Sequence, residues 1–165
     1  KLMFVIVDLE TTGGIYNKEK IIEIGLIKYD GSKVIDTFEK LINPFVKIDP
    51  FIEKLTGIKN NELKSSKGFN SYSADIYNFL KNSTIVGHDV KYDYRVLKNE
   101  LKKNNFILEN EFLCTLELMR ECYPDLNSYK LKTLSKIFDI KLVKHHRAMD
   151  DAKATLELLK LCNEW

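Results

Sequence analysis

The 165-residue sequence contains little of what disulfide-rich, fibrous or membrane proteins are built from. It has three cysteines, three prolines and seven glycines, and its cysteines show no CxxC spacing. An odd number of unclustered cysteines favours a reducing, cytoplasmic setting. The longest apolar run, residues 2–7, is far shorter than the ~20 residues that cross a bilayer, and the charges around it exclude a signal peptide. We therefore expect a soluble protein with no membrane partner.

The overall composition is that of an ordinary globular domain. Hydrophobic residues make up 44% of the chain and charged residues 30%, which excludes disorder and collagen-like repeats. The length, with no linker or repeat, predicts one domain over residues 1–165. Because the chain begins at Lys1 rather than at methionine, we expect a fragment or a processed product.

The net charge of +2 by itself says little about nucleic acid, but it would rise to +6 if four carboxylates were neutralised by metal. The stretch 130–147 is strongly basic, with six lysines and arginines against Asp139 alone. This stretch is either a solvated surface or a contact for the phosphate backbone of a nucleic acid. The sequence leaves both alternatives open.

Hydrophobic periodicity predicts strands first and then alternating helices and strands. The predicted strands are 3–8, 21–29, 34–42, 84–87 and 112–115. The predicted helices are 51–55, 60–64, 70–81, 89–103, 115–122, 130–138 and 149–163. This order predicts an α/β fold with a mixed sheet.

A first group of polar residues follows the most apolar strand. Asp8 and Glu10 stand two residues apart, so on a strand they would project from the same face. They lie at the carboxyl end of the strand, where α/β sheets place their ligands. Adjacent carboxylates repel each other unless a cation compensates. A helix N-cap or an exposed turn is the structural alternative.

A second group lies on the predicted helix 89–103. Asp93 falls on the same side as Val90 and Leu97, which form the apolar face of that helix. An inward-facing carboxylate is costly unless a base or a metal pairs with it. Asp89 stands at the helix start, and we expect it to cap the helix rather than to bind a ligand.

A third group introduces the last helix. His145 and His146 precede it, and Asp151 flanks the inward-facing Ala152, whereas Asp150 fits a solvent-facing position. Carboxylate oxygens suit hard cations such as Mg²⁺ and Mn²⁺. Histidine is the side chain best suited to accept a proton near neutral pH.

Taken together, the three groups resemble a known family. The stretches FVIVDLETTG, GHDVKYDYRVL and HRAMDDAKATLELL resemble the three motifs of the DEDD superfamily of 3′–5′ exonucleases. Their order and spacing are similar to the DEDDh, or DnaQ-like, branch, which includes the proofreading epsilon subunit of bacterial DNA polymerase III. The resemblance covers residues 3 to about 160. It implies a ribonuclease H-like fold, with a central five-stranded mixed sheet flanked by helices.

The resemblance also implies a catalytic site. Asp8, Glu10, Asp93 and Asp151 would hold two divalent metal ions, Mg²⁺ or Mn²⁺, with Asp8 bridging both. Two ions about 4 Å apart clamp the attacking and leaving oxygens of a displacement at phosphorus. The spacing of the third motif selects His146 over its neighbour as the general base on the attacking water.

The implied substrate is the 3′ end of a nucleic acid, from which a nucleoside 5′-monophosphate is released. Leu9, Thr11, Thr12 and His146 are the predicted substrate contacts, with Thr12 near the terminal 3′-hydroxyl. An unpaired terminal base costs least to draw into such a site, which favours single-stranded or mismatched ends.

Several residues in the motifs have structural interpretations. Asp89 replaces the asparagine that is usual in the family, and it could tune metal affinity or only cap its helix. His88 is expected to be an ordered residue at a strand end, and His145 a loop residue near the phosphates. On the second-motif helix Lys91, Arg95 and Lys98 are expected to be solvated.

The sequence thus predicts a metal-dependent 3′–5′ exonuclease of DNA, acting in proofreading or repair. An RNA-trimming exonuclease is the first alternative, since the motifs do not distinguish the sugars. A binding or docking module without activity is a weaker alternative, because all four carboxylates and the histidine are present. An endonuclease is weaker too, because the His-x-Ala-x-x-Asp ending is an exonuclease feature in the family that the sequence resembles. The expected partners are DNA 3′ ends and either a polymerase subunit or further domains of a longer chain. Because the chain ends at Trp165, directly after the last helix, we expect an excised domain or a free-standing nuclease.

Overall fold

The computed structural model describes residues 2–162, and its elements follow the predicted order. The strands are β1 (Phe4–Thr11), β2 (Ile21–Tyr29), β3 (Val34–Leu41), β4 (Thr84–Gly87) and β5 (Phe112–Cys114). The α-helices of this range are α1 (Pro50–Thr56), α2 (Asn60–Lys64), α3 (Ser73–Leu80), α4 (Val90–Lys103), α5 (Thr115–Cys122), α6 (Leu131–Ile137) and α7 (Ala148–Leu161). The predicted extension of the last helix to residue 163 and the chain end at Trp165 lie outside the described residues, as does Lys1.

The strands form one five-stranded mixed sheet in the order β3-β2-β1-β4-β5, which confirms the predicted architecture. The meander β1-β2-β3 is antiparallel, whereas β4 and β5 run parallel to β1. Strands β1 and β2 are central, and apolar residues cover them on both faces. The parallel strands place the carboxyl ends of β1, β4 and β5 at one edge of the sheet.

Strand β1 is longer than the predicted 3–8, because its pairing with β2 continues beyond the apolar run. Glu10 pairs with Glu23 and Thr11 with Ile21, with a shift of register between the two pairs. Backbone hydrogen bonds to β2 therefore hold the polar residues of the first motif in a strand. The prediction ended the strand too early because it followed hydrophobicity alone.

The two faces of the sheet bury different helices. Val5, Val7 and Leu9 pack with apolar residues of α3 and α4 in one core cluster. Phe4 and Ile6 face the other side, where they pack with α7 residues such as Ala152. The alternation of β1 side chains thus separates the two clusters.

The predicted helix 70–81 is divided in the structure. A 3₁₀ turn, Phe69–Ser71, comes first, and α3 begins only at Ser73. Tyr72 donates its backbone N–H to Phe69 O at 2.9 Å, which closes the 3₁₀ turn and separates the two segments. Along the described part of the chain no helix has both the length and the apolar character required to cross a membrane.

Candidate active site

The three predicted motifs meet at the carboxyl edge of the sheet. Asp8 and Glu10 lie near the end of β1 and, by strand alternation, project from the same face. Asp93 is in the first turn of α4, which follows β4, and Asp151 is in the first turn of α7. Both of these aspartates are buried, so the costly inward orientation predicted from helical periodicity is confirmed.

Carboxylate oxygens of Asp8, Glu10 and Asp151 all lie within 4.8 Å of one another. The backbone of Leu9 favours the ionised form of the Asp93 carboxyl, which therefore lies close to the same strand. Its charge also acts directly on Asp8. The structure therefore brings all four predicted carboxylates together, three of them within reach of a single ion.

Burial and mutual repulsion oppose the ionisation of these groups. Burial, with the charges of Asp93 and Asp151, raises the pKa of Asp8 well above its usual range. Burial and the charge of Asp151 raise the pKa of Glu10 to about 9. The pKa values of Asp93 and Asp151 are raised too, with burial as the main cause. A cation among these oxygens would remove the repulsion.

The donor set fits a hard divalent cation. All four side chains offer carboxylate oxygen, the ligand that Mg²⁺ and Mn²⁺ prefer. Within the described residues the buried atom Asp8 Oδ2 has no hydrogen-bond partner. Such an oxygen is costly to bury unless something compensates it, and a metal ion at the cluster would do so.

Two histidines line the other side of Asp151. His145 Nδ1 lies 2.9 Å from Asp151 Oδ1, and the backbone N–H of His146 donates to Asp151 Oδ2 at 3.1 Å. The two rings stack with their centroids 3.7 Å apart. Burial, helped by His145 and Lys132, lowers the pKa of His146. His145, expected to be a loop residue near the phosphates, lies in the loop but contacts the carboxylate cluster directly.

The residues predicted to contact substrate differ in whether their side chain or only their backbone is accessible at the site. The side chain of Leu9 is buried in the core, so only its backbone faces the site. Thr11 and Thr12 are half-buried, and the hydroxyl of each forms a hydrogen bond within the protein. Thr11 Oγ1 lies 2.8 Å from Tyr92 OH, whereas Thr12 Oγ1 accepts from the N–H of Lys20 at 3.1 Å.

Asp89 was predicted to cap the start of α4, and the prediction is wrong in that its side chain forms no capping hydrogen bond. Asp89 occupies the N-cap position of α4, but its side chain accepts no capping hydrogen bond. Its backbone is left-handed, with φ at 62°, whereas a capping side chain reaches the first-turn amides from an extended backbone. The exposed Asp89 instead contributes negative charge beside Asp93.

His88 is confirmed as an ordered histidine at the end of β4. Its Nδ1 lies 2.8 Å from Thr115 Oγ1 and its Nε2 lies 2.6 Å from the carbonyl oxygen of Tyr129. The ring thus connects β4 to the start of α5 and to the loop before α6.

The basic residues fall into two groups. Lys91 and Lys98 on α4 are exposed, as predicted, but Arg95 is not solvated as expected, because it forms an ion pair with Glu19. In the stretch 130–147 all five lysines are exposed, which is compatible with either of the two alternatives. Arg147 is the exception, since its guanidinium pairs with Glu23.

Glu23 is a buried residue of the site that the sequence reasoning missed. Its Oε2 lies 2.8 Å from Arg147 Nη2, and its Oε1 accepts from the backbone N–H of Ala148 at 2.8 Å. It thereby fixes the start of α7, which holds Asp151. Nearby, a Cβ at Gly25 would come within 2.9 Å of Ala148 C, so only glycine allows this approach. A carboxylate inside the otherwise apolar run 21–27 of β2 was the signal that could have found Glu23.

The structure combines a ribonuclease H-like mixed sheet with carboxylates gathered at its carboxyl edge, an arrangement that fits the class of metal-dependent nucleases. Residues 5–159 match the RNase_T family, described as exonuclease. The chain belongs to this family, in its DnaQ-like 3′–5′ exonuclease group, which confirms the resemblance seen in the motifs. The family is metal-dependent.

Individual relatives agree with this assignment. The chain is 43% identical to a PolC-type DNA polymerase III of Caldanaerobacter subterraneus subsp. tengcongensis, over 94% of this chain and 11% of that protein. It is 35% identical to the 3′-5′ exonuclease DinG of Staphylococcus epidermidis, over 94% of this chain and 17% of that protein. The chain therefore spans only a small part of each of these relatives.

A solved structure confirms the fold. E. coli exonuclease I in complex with a dT13 oligonucleotide superposes with a TM-score of 0.86 at 23% identity. The similarity covers 98% of this chain and 41% of exonuclease I. At this level of identity the comparison establishes the shared fold alone.

The raised carboxyl pKa values predict that the metal-free protein loses stability as pH rises. Glu10 has a pKa near 9 in the folded protein but about 4.3 when unfolded, so between these values the folded state binds more protons. The free energy of unfolding, measured with urea in chelator, should therefore fall from pH 5 to pH 9. Glu10→Gln should make this fall less steep, while the raised pKa values of the other three carboxyls maintain the rest of it. A wild-type profile that rises with pH, or is already flat, would contradict the prediction.

Loss of the Glu23 charge should destabilise the protein. Glu23→Gln leaves the guanidinium of Arg147 without its buried partner, and we expect the free energy of unfolding to drop by about 1–3 kcal/mol. Glu157→Gln is the matched control, because it breaks an exposed ion pair with Lys160 on α7 and should cost at most about 1 kcal/mol. Urea titration of both variants makes the comparison, and equal losses would contradict the role of Glu23.

Proposed function

We propose that this chain is the exonuclease domain of a DNA-processing protein and removes single nucleotides from DNA 3′ ends. The observation that supports this most strongly is the carboxylate cluster around the unpartnered Asp8 Oδ2, in a chain of the exonuclease family. The names of the relatives, a DNA polymerase and a 3′-5′ exonuclease, favour DNA over RNA as the substrate.

The proposed cofactors are two divalent cations, Mg²⁺ or Mn²⁺. Asp8, Glu10, Asp93 and Asp151 would hold them, since these are the carboxylates that the fold gathers at one point. When bound, the cations would stabilise negative charge on the attacking and leaving oxygens at phosphorus. Their four positive charges would also balance the four carboxylates.

His146 is the proposed general base. It is half-buried beside Asp151, so its ring is both positioned by the protein and open to solvent. It would take a proton from the water that attacks the last phosphodiester. The bond from phosphorus to the 3′-oxygen of the preceding nucleotide then breaks, that oxygen takes up a proton, and a nucleoside 5′-monophosphate leaves.

The end of β1 would bind the terminal nucleotide. The backbone of Leu9 and the half-buried Thr11 and Thr12 lie directly beside the carboxylates of Asp8 and Glu10. Because drawing in an unpaired base costs the least energy, the proposed preference is for single-stranded or mismatched 3′ ends.

The proposed biological role is proofreading or repair within a larger assembly. The chain matches 11–17% of the length of the PolC-type and DinG relatives, so the other parts of such proteins would supply further domains or partners. The three free cysteines fit the expected reducing cytoplasm.

The proposal is tested by digestion of a 5′-labelled DNA duplex with a 3′ mismatch, beside its RNA counterpart, with Mg²⁺ or Mn²⁺ and with chelator. We expect a ladder from the DNA 3′ end that is fastest at the mismatch and absent in chelator. A ladder on RNA alone would show that the substrate is RNA rather than DNA and would leave the proposed hydrolysis from the 3′ end unchanged. Cuts in a circular substrate would show an endonuclease instead.

Two substitutions should separate metal binding from proton transfer. Asp8→Ala should abolish hydrolysis and lower Mn²⁺ affinity, while the protein stays folded because a source of repulsion is removed. His146→Ala should keep Mn²⁺ affinity and lower the rate roughly 10²- to 10⁴-fold, the usual effect of losing a positioned base. Single-turnover rates and Mn²⁺ calorimetry measure both effects. An unchanged rate in His146→Ala, with a loss in His145→Ala, would transfer the role to His145.

A further inference from the structure

The loop between β1 and β2, residues 12–20, holds two large apolar side chains out in solvent. Ile15 is 70% exposed and Tyr16 is 69% exposed. The loop is nevertheless well defined, because Thr12 N–H donates to Lys20 O and Lys18 N–H donates to Ile15 O, both at 2.9 Å. An apolar pair fixed in this way contributes nothing to the core and is available to a ligand.

Arg95 ties this loop to the active-site helix. Its guanidinium makes two hydrogen bonds to the carboxylate of Glu19, at 2.6 and 3.1 Å, and a third to Asn17 Oδ1 at 2.9 Å. The Glu19 side chain is only 6% exposed, so this ion pair is anchored in the protein. Arg95 stands two residues after Asp93 on α4, and therefore the loop is held in a fixed relation to the carboxylates.

The same guanidinium supports the ring of Tyr16. The Arg95 Cζ atom lies 4.2 Å from the centroid of the Tyr16 ring and 5.3 Å from that of Tyr92. Tyr92 in turn contacts Thr11 Oγ1 at the end of β1, at 2.8 Å. One face of Tyr16 is thus covered by a cation, and its exposure leaves the other face open.

We propose that Tyr16, backed by Arg95, is a stacking platform for a nucleobase upstream of the 3′-terminal nucleotide. This inference rests on the proposed function and specifies how a single-stranded substrate is held. Tyr16 is the fifth residue after Thr11, which corresponds to at most about 18 Å of chain. That distance corresponds to about five stacked bases, so the platform lies within a short oligonucleotide bound at the site. Aromatic rings beside cationic side chains are the usual means of binding single strands without sequence preference.

The surroundings favour a nucleobase over a protein partner. Within the loop the exposed large apolar side chains are Ile15 and Tyr16, and polar or charged residues, Asn17 and Lys18, follow them directly. A stable protein interface requires roughly 800 Å² from each partner, which is far more than two side chains supply. One ring face suffices for one base, and the exposed Lys18 and Lys91 offer positive charge to neighbouring phosphates.

The test compares a dinucleotide with a decamer of single-stranded DNA as substrates, since only the decamer reaches the platform. Tyr16→Ala should raise KM for the decamer about tenfold, leave kcat within about twofold, and leave the dinucleotide unaffected. Tyr16→Phe should behave as wild type, because stacking requires the ring and not the hydroxyl. Ile107→Ala is the control, since Ile107 is 54% exposed but borders the cavity of Met3 and Thr84, at the opposite edge of the sheet.

An abasic scan of the decamer locates the contact. In the wild type, one abasic position among the third to fifth nucleotides, counted from the 3′ end, should raise KM as much as Tyr16→Ala does. The two changes together should then have no further effect, since both remove the same interaction. If Tyr16→Ala and the abasic substitution raise KM additively at every position of the decamer, Tyr16 is not a stacking platform.

Direct binding separates failure of the platform from failure of the proposed function. Anisotropy of a labelled decamer is measured in chelator for the wild type and for Tyr16→Ala, so the result does not depend on turnover. Weaker binding of the variant supports the platform even if the wild type hydrolyses no DNA, which would overturn only the function. Equal binding of the wild type and the variant overturns the platform.

Discussion

Repulsion between carboxylates is the constraint on which the site depends. Burial and mutual charge raise the pKa of Asp8 and bring that of Glu10 to about 9, and Asp8 Oδ2 has no partner within the described residues. A fold that only had to be stable would not place these groups together. Bound cations would offset the repulsion between these carboxylates. The same cations would take part in the chemistry, so cation binding explains both why the carboxylates lie close together and what the site does.

The rest of the molecule resists that repulsion. Strand β1 is held between β2 and β4, so its backbone cannot move to separate Asp8 from Glu10. The start of α7 is fixed by Glu23, which pairs with Arg147 and accepts the backbone N–H of Ala148, while its charge adds to the repulsion at Glu10. At Gly25 the lack of a side chain lets the helix approach β2 closely. The strands and helices therefore fix the positions of the carboxylates, and a bound cation would neutralise their negative charge.

Arg95 and Arg147 show how the same residue type serves two purposes here. Arg147 pairs with the buried Glu23 behind the carboxylates and orients the third motif. Arg95 pairs with Glu19 and holds the loop that carries Tyr16, the proposed stacking platform. Both guanidiniums make two-pronged contacts with a carboxylate, a geometry that lysine does not reproduce. Of the cationic side chains described, these two arginines are tied to carboxylates at the site, whereas the lysines of 130–147 remain exposed.

Hydrophobic periodicity and local spacing encode the order of the elements, the mixed sheet and the inward orientation of Asp93, so these features could be predicted from the sequence. The sequence also indicated the motif residues and the family. Which side chains meet across the sheet is seen only in the folded structure. The partnership of Glu23 with Arg147 spans 124 residues, that of Arg95 with Glu19 spans 76, and the backbone that prevents Asp89 from capping is set by its surroundings. Contacts between distant segments depend on packing, which no local pattern records.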